Sequence, residues 1–114
     1  MKATIWHNPR CSKSRAALAL LEEAPGVEVE VVEYLKAAPT RAEIAAVLDR
    51  AGVAPSQAVR KGEDVAKEIG LDLTDDAAIL DAMAAHPILI ERPIVITDRG
   101  AVIARPPEKL RDIV

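Results

Sequence analysis

Apolar residues fall at a strand period at both ends of the chain and at a helical period between them. Ala3-Thr4-Ile5-Trp6 reads as a short strand, and Ala16-Ala17-Leu18-Ala19-Leu20-Leu21 is a strong helix former. Pro25-Gly26 marks a turn. From Val27 to Leu35 the chain alternates, which predicts a strand with Val27, Val29 and Val31 on one face and Glu28 and Glu30 on the other. Thr40 and Glu43 stand at capping-box spacing before an apolar run. A helix with Ile44, Val47 and Leu48 on one face is therefore expected, stopping near Gly52. A short segment follows from Pro55, then a weakly amphipathic turn or helix from Glu63 to Gly70. Thr74-Asp75-Asp76 caps a further helix that carries Ile79, Leu80 and Met83, and His86 closes it.

Ile94 to Ile96 predicts a buried strand. Pro93 belongs at its start, because proline lacks a ladder donor. Asp98-Arg99-Gly100 turns the chain into a second strand, Ala101 to Ala104, which Pro106-Pro107 halts before a closing helix over Glu108 to Ile113. A strand, a helix and a strand at the start make a right-handed βαβ unit the expectation there. The expected fold class is α/β with a thioredoxin-like architecture. It has a four-stranded mixed sheet flanked by helices, and a helical insert separates the N-terminal βαβ unit from the C-terminal β-hairpin.

With 114 residues, half of them apolar, a single domain over 1–114 is expected, large enough to bury a real core. Trp6 and Tyr34 are the only aromatics, so that core must be aliphatic. A net charge of −3 argues against nonspecific nucleic-acid binding, which favours a basic surface. No apolar run is long enough to span a membrane. His7-Asn8-Pro9 interrupts the start too soon for a signal-peptide core. One cysteine cannot form an internal disulfide, which suits a reducing compartment. The expectation is a cytoplasmic protein, with nothing demanding more than a monomer.

That one cysteine lies in His7-Asn8-Pro9-Arg10-Cys11-Ser12-Lys13-Ser14-Arg15, between the first strand and the first helix. A thiol at such a turn sits beside unsatisfied backbone N–H groups and the positive end of the helix dipole. Arg10, Lys13 and Arg15 add positive charge. These influences favour thiolate, the nucleophilic form, and the same turn suits an oxyanion. Inert structural cysteines seldom sit among three cations at a turn. Arg10 and Arg15 read as contributors to this field or as helix-face charges. His7 reads as a site residue or as a packed ring. Ser12 and Ser14 read as helix caps or as donors to a bound oxyanion, and Asn8 as a turn residue or a substrate contact. One cysteine and two histidines offer no tetrahedral metal set, so no metal is expected.

Three motifs make the chain resemble the glutaredoxin-coupled arsenate reductase family of the thioredoxin-like superfamily. They are the Cys11 stretch; Val59-Arg60-Lys61; and His86-Pro87-Ile88-Leu89-Ile90-Glu91-Arg92-Pro93-Ile94-Val95 with Ala104-Arg105-Pro106. They stand in the family's order over essentially the whole chain. The resemblance implies that Cys11 is the nucleophile and that Arg60, Arg92 and Arg105 hold the oxyanion and the arsenylated cysteine. It implies that His7 helps to keep the thiol ionised and that Pro93 is in cis beside the cysteine. Asn8, Ser14, Arg15 and Pro93 are the candidate substrate-binding residues. Arginine's planar fork suits a tetrahedral oxyanion. Longer family members continue past Arg111-Asp112-Ile113-Val114 with a charged tail, in which none of these motifs lies.

The implied reaction is arsenate reduction to arsenite through a covalent arseno-cysteine on Cys11. With no second cysteine, an external thiol must resolve it, so glutathione is the expected co-substrate and a glutaredoxin the expected partner, with no bound cofactor. A dithiol motif would need a second cysteine where Ser14 stands, and the phosphatase-type arsenate reductases would need arginine where Ala17 stands. Two other readings are open. A glutathione-dependent thiol oxidoreductase of another substrate would use the same Cys11. A non-catalytic regulator of this fold, binding a partner such as RNA polymerase, would not need the arginine trio.

Overall fold

Four strands form one mixed sheet in the order β2-β1-β3-β4 in the computed structural model, which describes residues 1–114. They are β1 (Lys2–Trp6), β2 (Glu28–Val32), β3 (Ile94–Thr97) and β4 (Gly100–Ile103). β1 pairs with β2 in parallel and with β3 antiparallel, and β3 and β4 form the antiparallel hairpin. The expected α/β class and mixed sheet are both present.

The chain divides into two compact units, one comprising Met1–Ala37 with Arg92–Val114 and the other Ala38–Glu91. In the first, helix α1 (Ser12–Glu23) and a closing 3-10 helix (Pro107–Asp112) join the sheet. Alternation puts Ala3, Ile5 and Val95 on one sheet face, where they share a core with Ala17 and Leu21 of α1 and with Leu110 and Ile113. Thr97 ties down the chain's last turn, its hydroxyl donating to the Ile113 carbonyl at 2.7 Å. This core is aliphatic, as the composition required.

The second unit contains α2 (Arg41–Ala51), α3 (Pro55–Ala58), α4 (Asp64–Glu68) and α5 (Asp76–Ala85), then a 3-10 turn at Pro87–Leu89. The capping box forms as expected: Glu43 N–H donates to Thr40 Oγ1 at 3.1 Å, and Thr40 N–H donates to Glu43 Oε1 at 3.0 Å. Gly52 ends α2 in the left-handed region at φ 69°, where a side chain would be strained. Asp75 caps α5, accepting the Ala78 N–H at 3.1 Å, and α2 and α3 pack on α5. Val59 bridges Ile90 antiparallel, with Arg60 N–H donating to the Leu89 carbonyl and Glu91 N–H to the Ala58 carbonyl, both at 2.7 Å.

Two expectations need correction. β2 ends at Val32 rather than Leu35, because a turn follows in which the N–H groups of Lys36 and Ala37 both donate to the Glu33 carbonyl. Val31 is exposed, since an edge strand has only one neighbour to pack against, while Val27 and Val29 lie against the core. The expected closing helix is present, as a 3-10 helix started by Pro107.

Leu21 is fully buried in the first unit's core. Leu21→Ala should therefore cost about 2–5 kcal/mol, read as a lower midpoint in urea unfolding.

Candidate active site

Strand direction brings one end of the sheet together. His7 N–H donates to the Val32 carbonyl at 2.8 Å, extending the parallel ladder, so the chain leaving β1 runs beside the chain leaving β2. β3 is antiparallel to β1 and starts where β1 ends, with Trp6 opposite Ile94. β4 returns to that end, with Ile103 opposite Ile94 and Ala104 N–H on the Pro93 carbonyl at 2.9 Å. His7 to Cys11, Tyr34, Arg92 with Pro93, and Arg105 therefore converge within one unit.

The loop before α1 is fixed by its own polar groups. Asn8 Oδ1 accepts the Arg10 N–H at 3.0 Å and the Asn8 carbonyl accepts the Cys11 N–H at 3.0 Å, a turn closed by a side chain. Ser14, fully buried, accepts the Asn8 N–H at 3.0 Å and shares a 2.7 Å hydrogen bond with His7 Nδ1. The expected capping role of Ser12 and Ser14 is not what is found. Cys11 itself is the N-cap residue, in extended conformation, and Ser14 instead locks the loop onto the helix. Arg15, on the exposed side of α1, reaches back to donate from Nη1 to the Pro9 carbonyl at 2.9 Å.

Cys11 is partly exposed. Burial, the largest single influence, pushes its thiol pKa up. The Ser14 N–H, the Arg92 guanidinium and the Lys13 N–H, by hydrogen bonding to sulfur, together with Arg92's charge, outweigh it, so the pKa lies below a thiol's ordinary value. The pairing is mutual. Burial works against the charge on Arg92, but hydrogen bonds and charge attraction from Cys11 and Tyr34 prevail and raise its pKa. Arg105 braces the same corner, donating from Nη1 to the Arg92 carbonyl at 3.0 Å. The Arg92–Pro93 bond is cis, as the resemblance implied, and Arg105–Pro106 is a second cis bond that sequence reasoning did not anticipate.

His7 is buried, and desolvation first, then the charge of Arg15, lower its pKa against an opposing pull from Glu33. It is therefore neutral near pH 7 and its hydrogen bond goes to Ser14, so it acts on the thiol's loop and lends the sulfur no positive charge. Arg60 belongs to the second unit. Its Nε donates to Glu63 Oε1 at 3.1 Å and its Nη1 to Glu91 Oε1 at 3.0 Å. These groups, with Val59, Lys61 and Gly62, line a cavity of about 400 Å³. An oxyanion that takes Arg60 has to compete with two carboxylates. Tyr34, missed by sequence reasoning, is almost fully buried beside Arg92. Its signal was faint: the chain's one tyrosine, just past a strand end.

Comparison with known proteins agrees with this picture. The model of the ArsC family matches residues 6–113. An arsenate reductase of Neisseria meningitidis is 46% identical, the match covering 96% of this chain and 95% of the relative. An arsenate reductase of Escherichia coli is 38% identical over 96% of this chain and 79% of its own length. Among solved structures, an arsenate reductase from Vibrio cholerae superposes with a TM-score of 0.93 at 41% identity, covering 100% of this chain and 98% of that one.

The charge pairing at Cys11 has a measurable consequence. Thiolate absorbance at 240 nm should titrate below the ordinary thiol range, and Arg92→Ala should move the midpoint up; a midpoint unchanged in the variant would remove Arg92 from the sulfur. Because folding lowers this pKa, its contribution to stability is present above the ordinary thiol pKa and is lost as pH falls through the folded value.

Proposed function

The chain belongs to the ArsC family, and on that premise we propose that it reduces arsenate to arsenite with Cys11 as nucleophile. The observation that carries this reading is the Cys11 sulfur at the start of α1, faced by the Ser14 and Lys13 N–H groups and by Arg92. Such a thiolate can attack a tetrahedral arsenate, whose departing oxygen leaves as water once protonated, and the resulting S–As bond places the remaining oxygens where backbone donors and guanidinium can hold them. Arg92 then exchanges its hydrogen bond to sulfur for one to an arsenate oxygen. Arg105 keeps Arg92's backbone in place and brings a second guanidinium to the same end of the sheet. Asn8 and Ser14 shape the loop, and Arg15 and Pro93 flank it; Arg60, in the second unit, is the candidate that takes an oxyanion only once Glu63 or Glu91 lets go.

Taking As(V) to As(III) needs two electrons. One cysteine cannot supply them and return as a thiol, so two external thiols do, ending as a disulfide while Cys11 is released. Glutathione is the first and a glutaredoxin thiol the second in this reading. The reaction is that of a soluble thiol system, and no helix of this chain is long and apolar enough to cross a membrane.

NADPH consumption with arsenate, glutathione, glutaredoxin and glutathione reductase is the direct test. Cys11→Ser should abolish arsenate-dependent turnover with the fold intact by circular dichroism. A parent without turnover, in an assay where a known reductase works, would favour a thiol oxidoreductase of another substrate. Arg60→Lys should raise the KM for arsenate about tenfold or more, because a point charge replaces a fork and an ammonium cannot satisfy Glu63 and Glu91 in the same geometry. A KM equal to the parent's would place Arg60 outside substrate binding.

A further inference from the structure

We propose that Glu63 and Glu91 are positioning residues for Arg60, a pair of carboxylates that latch its guanidinium and set how tightly the cavity beside it takes a tetrahedral dianion. Backbone pairing builds the latch. Arg60 N–H donates to the Leu89 carbonyl and Glu91 N–H to the Ala58 carbonyl, both at 2.7 Å, on either side of the Val59–Ile90 bridge. Arg60 and Glu91 therefore leave neighbouring stretches of chain. Glu63 N–H donates to the Arg60 carbonyl at 3.1 Å, and that turn returns Glu63 to the same guanidinium. Each carboxylate then takes one nitrogen: Nε donates to Glu63 Oε1 at 3.1 Å and Nη1 to Glu91 Oε1 at 3.0 Å.

A guanidinium grips a tetrahedral oxyanion best with two nitrogens along one edge, and each such edge of Arg60 includes Nε or Nη1. Both nitrogens are engaged, so a dianion that takes the fork displaces a carboxylate. The cavity of about 400 Å³ carries Arg60 and Lys61 against Glu63 and Glu91, so the charges on its wall cancel. Neutralising one carboxylate leaves that wall with one positive charge in excess. The side chains of Arg60, Glu63 and Glu91 are 24%, 27% and 26% exposed. A displaced carboxylate therefore meets water as it withdraws, which keeps the latch reversible.

Glutamine in place of either glutamate isolates the charge. It keeps an oxygen that accepts from Arg60 and gives up the negative charge that opposes an anion. An ion-pair cluster with a structural role alone would show no change in anion affinity on that substitution. The inference deepens the oxyanion role proposed for Arg60. Its test uses anions that are not reduced and does not involve Cys11, so it and the reductase reading fail separately.

The probes are sulfate and perchlorate, two tetrahedral anions that differ in charge. Each is titrated at constant ionic strength into isotope-labelled parent, Glu63→Gln and Glu91→Gln, and into all three with Arg60→Ala added. Nuclear magnetic resonance of the Arg60 Nε–H and of the Lys61 and Gly62 amides reads this cavity apart from the Cys11 loop. Each glutamine variant should lower the sulfate concentration at half-saturation roughly three- to tenfold, the difference between a charge-assisted hydrogen bond and a neutral one. Perchlorate should gain by a smaller factor, because the repulsion removed scales with the anion's charge. With Arg60 replaced by alanine, the same changes should move half-saturation by less than about twofold, since the fork they release is gone. In turnover, the glutamine variants should lower the KM for arsenate more than they change kcat, a split that a loosened fold would not give. Should one variant unfold at lower urea than the parent, the other decides. Equal sulfate affinity in the parent and the glutamine variants, gains as large without Arg60, or equal gains for the two anions would each overturn the proposal.

Discussion

A thiolate has to be stabilised where solvent is partly excluded, and that requirement organises the first unit of this protein. Burial alone would keep Cys11 protonated and unreactive. The opposing influences come from separated stretches of chain: N–H groups of the first turn of α1, and Arg92 some eighty residues later at the start of β3. Each is weak evidence by itself, since many helices start near a polar side chain and most arginines are solvated. Their combination on one sulfur depends on β3 running antiparallel to β1, which brings the start of one strand to the end of the other. Sheet topology is therefore a condition for the chemistry.

The loop between β1 and α1 shows how little polar material is needed to hold that arrangement. Ser14 lies on the helix, yet its hydroxyl serves the loop, accepting from Asn8 and sharing a hydrogen bond with His7. A buried hydroxyl used this way couples the ring of His7, the turn at Asn8 and the first turn of α1, and the Cys11 N–H, donating to the Asn8 carbonyl, ties the backbone at the thiol to them. It also explains why a histidine so close in sequence acts without charge: buried and hydrogen-bonded to a neutral group, His7 titrates below its ordinary range.

Much of this was legible in the chain. Capping residues at Thr40 and Asp75, the stop at Gly52, and the strand-turn-helix around Cys11 follow from local chemistry, and the structure has them. The mixed sheet followed from the order of elements. What escaped were features set by partners distant in sequence. Val31 alternates as a buried residue would, but β2 lies at the sheet edge, and local pattern does not reveal an edge. Ser14 occupies a plausible capping position, and only the loop folding back onto the helix diverts its hydroxyl. Tyr34 gave almost no sign, because a lone tyrosine after a strand is ordinary until its oxygen is found beside a buried guanidinium.

Arg60 shows why residue type and motif position do not fix an electrostatic role. Its guanidinium is held by Glu63, one turn of chain away, and by Glu91, brought alongside by the Val59–Ile90 bridge. Two carboxylates around one cation leave these three side chains net negative, and Lys61 on the same cavity wall offsets that charge at distance, so the carboxylates oppose an anion chiefly in contact. An oxyanion that binds Arg60 has to displace a carboxylate and then remain near it. A divalent anion gains more from the exchange than a monovalent one, since attraction to the cation grows with its charge. So does repulsion from the displaced carboxylate, and the balance depends on how far that carboxylate can withdraw. All three side chains are about a quarter exposed, so water can take up the released carboxylate. That solvation makes the exchange feasible without unfolding the segment, and on the role proposed for Arg60 it makes Glu63 and Glu91, as much as Arg60, determinants of which anions could enter this cavity.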